Sequence, residues 1–282
     1  MVKKQLIIEK SIDLFARQGF DATSVQQITE QCGISKGAFY LSFKSKDELI
    51  MAIIDYFMMH IISDIDRTVR TCADKGNMLS EFYYSTFHFF RKHSGFAKIF
   101  IKEQALPLHA ELLMQLNEYD IRINRSILYM LEQLFGKDEK ELRLRYDLLI
   151  CIKGFMRTYM ELYLHGNVNI DLDLYVRSLV EKTNLLAREV TIPLISEEMC
   201  HKMNLSYATR VEVEGLEQIL SLIELKVAEL EHPLEVESLE ILNQSLRSEK
   251  PSIAVIKGML ENVKDNPECN WLSYLIREHY QL

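Results

Sequence analysis

Apolar residues recur along this chain at helical rather than strand spacing, almost from end to end. Ile8, Ser11, Ile12 and Phe15 share one face of a first helix that Gly19 ends, and Phe20 is placed to fold back beneath it. Val25, Ile28, Thr29 and Cys32 repeat at i, i+3, i+4 and i+7. Ser24, followed three residues later by Gln27, forms a capping box that starts this short helix at Val25. Gly33 stands where a helix end calls for left-handed backbone. Ile34 then turns inward, and Ser35 caps a second short helix from Lys36 to about Ser42. Ser45-Lys46-Asp47-Glu48 is another capping box. It opens a helix to about Thr71 with no glycine or proline inside, a rod of nearly ~40 Å at ~1.5 Å per residue.

Further helices are predicted over residues 78–93, 96–105, 107–135, 139–165 and 172–190, punctuated by Gly76, Gly95, Gly136 and the turn at 165–167. Past Pro193, Leu216, Ile219, Leu220, Ile223, Val227 and Leu230 form one amphipathic stripe. Pro233, Pro251 and Pro267 each read as the first-turn proline of another helix. Ile241-Leu242, Met259-Leu260 and Leu275-Ile276 recur at a constant distance after them, the signature of a small helical array closed by Trp271 and Tyr274. The fold class is therefore all-α, with three regions: a headpiece at 1–46, a larger helical body at 47–191, and a C-terminal helical region at 192–282 packed onto that body.

Composition sharpens this picture. Ten glycines and five prolines in 282 residues suit helices, and 48% hydrophobic content supplies a sizeable core. No run reaches the ~18 apolar residues of a membrane span, and Leu6-Ile7-Ile8 is too short for a signal-peptide core. Five scattered cysteines without a Cys-x-x-Cys pair predict reduced thiols and a cytoplasmic setting. The net charge of −8 argues against a nonspecific nucleic-acid coat, but its distribution is uneven. Residues 1–46 hold seven basic and four acidic side chains, whereas residues 197–282 hold eight basic and sixteen acidic. Only the N-terminal end offers a plausible DNA face.

Two short helices joined by a glycine turn, then a long one, form a helix-turn-helix. The second helix presents Lys36, Gly37, Ala38 and Tyr40 near its N-terminus, the end from which a recognition helix reads base edges. Lys46, at the positive end of the long helix, suits a phosphate oxygen. The ordered series Gly19-Phe20, Ser24-Val25, Ile28, Gly33-Ile34-Ser35, Lys36-Gly37, Phe39-Tyr40, Phe43-Lys44 and Ser45-Lys46 resembles the DNA-reading half of TetR/AcrR-family regulators over residues 3–55. By helical layout the resemblance extends to about residue 190. It implies DNA contacts from Ser35, Lys36, Gly37, Tyr40 and Lys46, with Ser24 on a phosphate. Leu41 and Ser42 stand where the family often has an aromatic or basic residue and another polar ring, which predicts fewer polar phosphate contacts there.

The same resemblance implies a homodimer on a palindromic double-stranded operator, and a small-molecule effector held by the central helices. It places dimerisation on the helices near 139–165 and 172–190, where Asp147, Leu148, Ile150, Cys151 and Gly154 are candidates for the paired face. Phe82, Phe87 and Phe90 on one helix, with Phe155, Tyr159 and Tyr163 on a later one, would line a cavity for a bulky hydrophobic or cationic compound. Plain core packing is the competing reading of those aromatics. His88 and His93 lack a matching second ligand, so neither a metal nor another cofactor is expected. Glycine-rich phosphate loops, Gly-x-Ser-x-Gly and His-Glu-x-x-His are missing from the sequence, which argues against an enzyme. The expected function is thus a ligand-responsive transcriptional repressor. The alternative from another class is a helical protein-interaction adaptor, which would show no salt-dependent DNA binding.

Overall fold

The computed structural model describes residues 2–97, 110–136, 142–165, 171–202 and 215–282. Every described regular element is a helix. The headpiece comprises α1 (Val2–Gln18), α2 (Val25–Cys32) and α3 (Lys36–Ser42), followed after a short loop by α4 (Lys46–Thr71). A 3-10 turn at Lys75–Asn77 leads to α5 (Met78–Lys92). The body continues with α6 (Ala110–Phe135), α7 (Leu142–His165), α8 (Leu172–Glu189) and the short α9 (Glu197–Lys202). The C-terminal region adds α10 (Leu216–Glu229), α11 (Pro233–Leu246), α12 (Ile253–Asn262), a 3-10 turn at Pro267–Cys269 and α13 (Asn270–Tyr280).

α4 is the axis of the molecule. Its buried stripe runs from Leu49 and Ile50 through Ile53, Phe57, Ile61 and Ile65 to Val69, and it packs against α5, α6 and α13 as well as α1. The headpiece is too small to hold its own core, and the near end of α4 completes it. Phe15 and Phe20 meet at 5.3 Å between ring centroids, and Phe39 and Phe43 at 6.1 Å. Outside this axis, α5 packs on α8, and α6, α7 and α8 pack in succession.

The C-terminal helices form a compact layer, with α10 against α11 and α13, and α11 against α12. Ile219, Leu242, Ile256, Leu275 and Ile276 are fully buried within it. The layer reaches the body through α13 on α4. Pro233 occupies the first turn of α11 and Pro267 that of the second 3-10 turn. Pro251 differs from expectation: α12 starts at Ile253 behind Ser252, so this proline lies in the preceding loop. The segments expected to be helical at 98–105, 107–109 and 139–141 fall outside the described residues. No helix among the described residues is long and apolar enough to cross a membrane.

Candidate nucleic-acid interface

The turn between α2 and α3 is built by local hydrogen bonds. Ser24 Oγ accepts from the Gln27 amide at 3.2 Å, and Gln27 Oε1 accepts from the Ser24 amide at 2.8 Å, closing the capping box. Gly33 adopts φ 64° and ψ 34°, and the Ile34 amide donates back to the Thr29 carbonyl at 3.0 Å. A Cβ on Gly33 would meet nothing within 4 Å, so backbone conformation alone calls for glycine there. Ser35 Oγ accepts from the Ala38 amide at 3.1 Å and starts α3.

α3 buries Phe39 completely and turns its opposite side outward. Ser35, Lys36, Gly37 and Tyr40 are exposed and Ala38 is half-buried. Lys36 Nζ rests 3.4 Å from Gln26 Oε1 on α2, so one polar surface spans the two helices. Tyr40 is 53% exposed and its ring stands edge-on to Phe39. Leu41 is 91% exposed beside it. Gly37 has open space on its own side: a Cβ would touch only Ser35 Oγ, at 3.8 Å. Nothing in the headpiece explains a glycine in the first turn of this helix, whereas close approach of an outside backbone would.

Lys46 sits differently from the other candidates. Its ammonium donates to the carbonyls of Phe20 at 2.7 Å and Thr23 at 3.0 Å, and lies 4.1 Å from the Phe20 ring centroid. It thereby fastens the α1–α2 loop to α4, with one N–H left for any further partner. At the adjacent cap, Ser45 Oγ accepts from the Glu48 amide at 3.0 Å. The Glu48 carboxylate reaches past Ser45 to the Lys44 amide, at 2.6 Å.

This geometry is that of a helix-turn-helix with a basic, polar outer face. The family model described as "Bacterial regulatory proteins, tetR family" matches residues 7–53. Over 272 residues the chain is 31% identical to the HTH-type transcriptional regulator YerO of Bacillus subtilis (strain 168), spanning 93% of this chain and 89% of that protein. The chain belongs to the TetR family. It is a transcriptional regulator with a DNA-binding helix-turn-helix, not an enzyme. A second relative, the HTH-type transcriptional regulator YuxN of the same organism, is 26% identical and matches over 99% of both chains. Among solved structures, a transcriptional regulator from Aquifex aeolicus VF5 superposes with a TM-score of 0.51 at 27% identity, covering 65% of this chain and 99% of that one. Roughly a third of this TetR-family chain has no counterpart in that structure, whereas YuxN matches along nearly the whole length.

In the body of this TetR-family protein, the aromatic candidates are distributed across two helices, α5 and α7. Phe82 and Phe87 are fully buried on α5, and Phe90, Phe155, Tyr159 and Tyr163 are half-buried. Phe155 contacts Tyr159 at 6.3 Å, and Phe82 stands at 5.2 Å from Tyr83, which neighbours Phe87 at 6.5 Å. Tyr175 on α8 joins the two groups: its ring lies 4.2 Å from Phe87 and 5.5 Å from Tyr159. The sequence reading missed Tyr175, which looked like an ordinary position on an amphipathic helix. Its hydroxyl is buried without a hydrogen-bond partner among the described residues, and burial, with Tyr159 and Tyr83 nearby, drives its pKa well above the usual phenol value. The neighbouring Tyr83 hydroxyl is satisfied by Thr183 at 2.8 Å.

The face expected to pair two subunits is divided by the fold. Leu148 is buried, Asp147 accepts from the Ile195 amide at 2.9 Å, and Gly154 is exposed with open space above it. Leu162 on α7, with Leu174 and Leu185 on α8, are exposed apolar residues that the sequence reading did not single out.

Proposed function

We propose that this TetR-family regulator is a ligand-responsive repressor that binds a palindromic operator as a homodimer. Residues 1–46 read DNA, 47–191 form the effector-binding and dimerisation body, and 192–282 brace it. The observation that carries the reading is the outward face of α3, where Lys36, Gly37 and Tyr40 stand exposed behind a fully buried Phe39. In this reading Lys36 and Tyr40 meet DNA while the bare backbone at Gly37 lets it come close. Ser24, Ser35 and Ala38 line the same approach, and Lys46 adds a phosphate contact with its remaining N–H.

Two further observations support the finer points. Exposed Leu162, Leu174 and Leu185 give α7 and α8 apolar surface for a second copy, and two heads about 34–36 Å apart would reach successive major grooves. Phe87 and Tyr159 pack on Tyr175 beside its unpaired hydroxyl, and with Phe82, Phe90, Phe155 and Tyr163 on the same two helices they suit an apolar effector with one polar group. The effector would favour a setting of α4 that spaces the heads wrongly. A differential affinity of ~1–3 kcal/mol would weaken operator binding roughly 5- to 150-fold.

The test is a gel-shift of the full chain against DNA upstream of its own gene and against random-sequence pools. The expected result is an enriched palindrome bound with steep salt dependence, and loss of that binding in Lys36→Ala and Tyr40→Ala. Unaltered binding by both variants would overturn the assignment of the α3 face.

A further inference from the structure

A cavity of about 410 Å³ opens where the C-terminal layer meets the body. Three elements wall it: His60, Asp64 and Arg67 along one face of α4, the side of α5 from Tyr84 to Lys92, and the turn from Lys264 to Asn270 ahead of α13. It is separate from the aromatic cluster around Tyr175, none of whose residues line it. Its size falls within the range of small-molecule sites.

The lining is rich in hydrogen-bond donors. Arg67 Nε is buried and has no hydrogen-bond partner among the described residues. Its guanidinium lies 3.7 Å from Asp64, and Asp64 also accepts from the Asn270 side-chain amide at 3.2 Å, so this carboxylate is already engaged. Lys92 is exposed and forms no ion pair among the described residues. Lys264 is bound to Glu261, outside the lining, and Asp265 is the second carboxylate on the wall. His60 Nδ1 donates to the Tyr56 carbonyl at 2.5 Å, which leaves Nε2 for another partner. One wall is flat: Tyr84 and His88 stack at 5.9 Å and 10° between planes, and Phe89 and His93 meet at 4.6 Å.

We infer that this cavity binds a small aromatic carboxylate, its ring against the Tyr84–His88 and Phe89–His93 faces and its charge between Arg67 and Lys92. The carboxylate supplies the acceptor that Arg67 Nε lacks, and a guanidinium paired with an ammonium favours an anion over a neutral ring. Because the walls come from α4, α5 and the C-terminal layer together, an occupant fixes α4 against that layer. The inference does not depend on the aromatic cluster around Tyr175 being an effector site.

The experiment is isothermal titration of the full chain with benzoate, phenylacetate and 2-naphthoate, with acetate and benzamide as partial probes. At least one aromatic carboxylate should bind saturably with a dissociation constant below ~1 mM, while acetate and benzamide bind more weakly. Arg67→Gln and Lys92→Gln should each weaken binding by ~10-fold or more, and Arg247→Gln, which removes an equal charge elsewhere, should not. Lys92 is exposed, so its variant is read without concern for folding. No saturable binding by any of the three carboxylates would overturn the inference. So would binding that Arg67→Gln and Lys92→Gln leave intact, or equal binding of benzamide. Because the readout needs no DNA, its failure is distinct from failure of the operator experiment.

Discussion

At the scale of single residues, the informative positions are those whose identity the fold does not need. Gly37 costs α3 some helix stability and has no internal steric reason to be glycine. Gly37→Ala should therefore raise the thermal stability of the headpiece, by up to about 1 kcal/mol, while lowering affinity for the selected operator. Paired melting and fluorescence-anisotropy measurements would show that split, and a variant gaining stability with unchanged affinity would remove Gly37 from the interface. Tyr175 makes the complementary case inside the body. An unpartnered buried hydroxyl costs roughly 1–3 kcal/mol, so Tyr175→Phe should stabilise the protein in chemical denaturation. A loss of stability would mean that the hydroxyl has a partner. Gly37 was legible from its place in the motif. Tyr175 was not, because its burial depends on Phe87, from a helix far away in sequence, and on how Tyr159 of the preceding helix packs back against it.

At the scale of elements, α2, α3 and α4 follow closely from their caps, because Ser24, Ser35 and Ser45 satisfy orphan amides within their own first turns. Where a cap depends on more distant geometry, the sequence was less informative. Glu48 bonds Lys44 rather than Ser45, and Pro251 lies in a loop because Ser252 precedes the helix. The end of α5 carries a pH-sensitive contact of similar origin. His93 packs against Phe57 at 5.0 Å and Phe89 at 4.6 Å. Burial, with Lys92 and His60 nearby, pushes its pKa from 6.5 down to about 4. Above pH 6.5 the ring is neutral in both folded and unfolded chains, and its contribution to stability is fully present. Between pH 6.5 and about 4 the unfolded chain takes up a proton that the folded one refuses, so stability falls. The loss should be about 1–2 kcal/mol once solvent screening of a half-exposed ring is allowed for. Urea unfolding at pH 7.5 and pH 5 would measure it, and His93→Gln should flatten the difference.

At the scale of the whole molecule, α13 is joined to the body by buried charge. Asp66 is 2% exposed and receives Arg70 at 2.8 Å from its own helix and Arg277 at 3.5 Å from α13. Glu278 on α13 pairs with Arg122 at 3.0 Å and with Arg125, both on α6. Arg122 also lies under the stacked Trp271 and Tyr274 rings. Removing one partner leaves buried charge uncompensated, so Asp66→Ala should destabilise the protein by about 3 kcal/mol. Amide exchange in residues 270–280 should accelerate as α13 loosens from α4. Unchanged exchange there would mean that apolar packing alone holds the layer.

The sequence by itself determined the helical class, the order and ends of the headpiece helices, the outward residues of α3 and the uninterrupted length of α4. These rest on hydrophobic period, capping and glycine placement, which act within a turn or two. Only the tertiary structure decided that α13 returns to α4, that Tyr175 bridges the aromatic groups of α5 and α7, that Lys46 clamps the Phe20–Thr23 loop, and that a cavity forms at the C-terminal seam. Each of these brings together side chains separated by tens to hundreds of residues, through packing and charge pairing that local pattern does not encode.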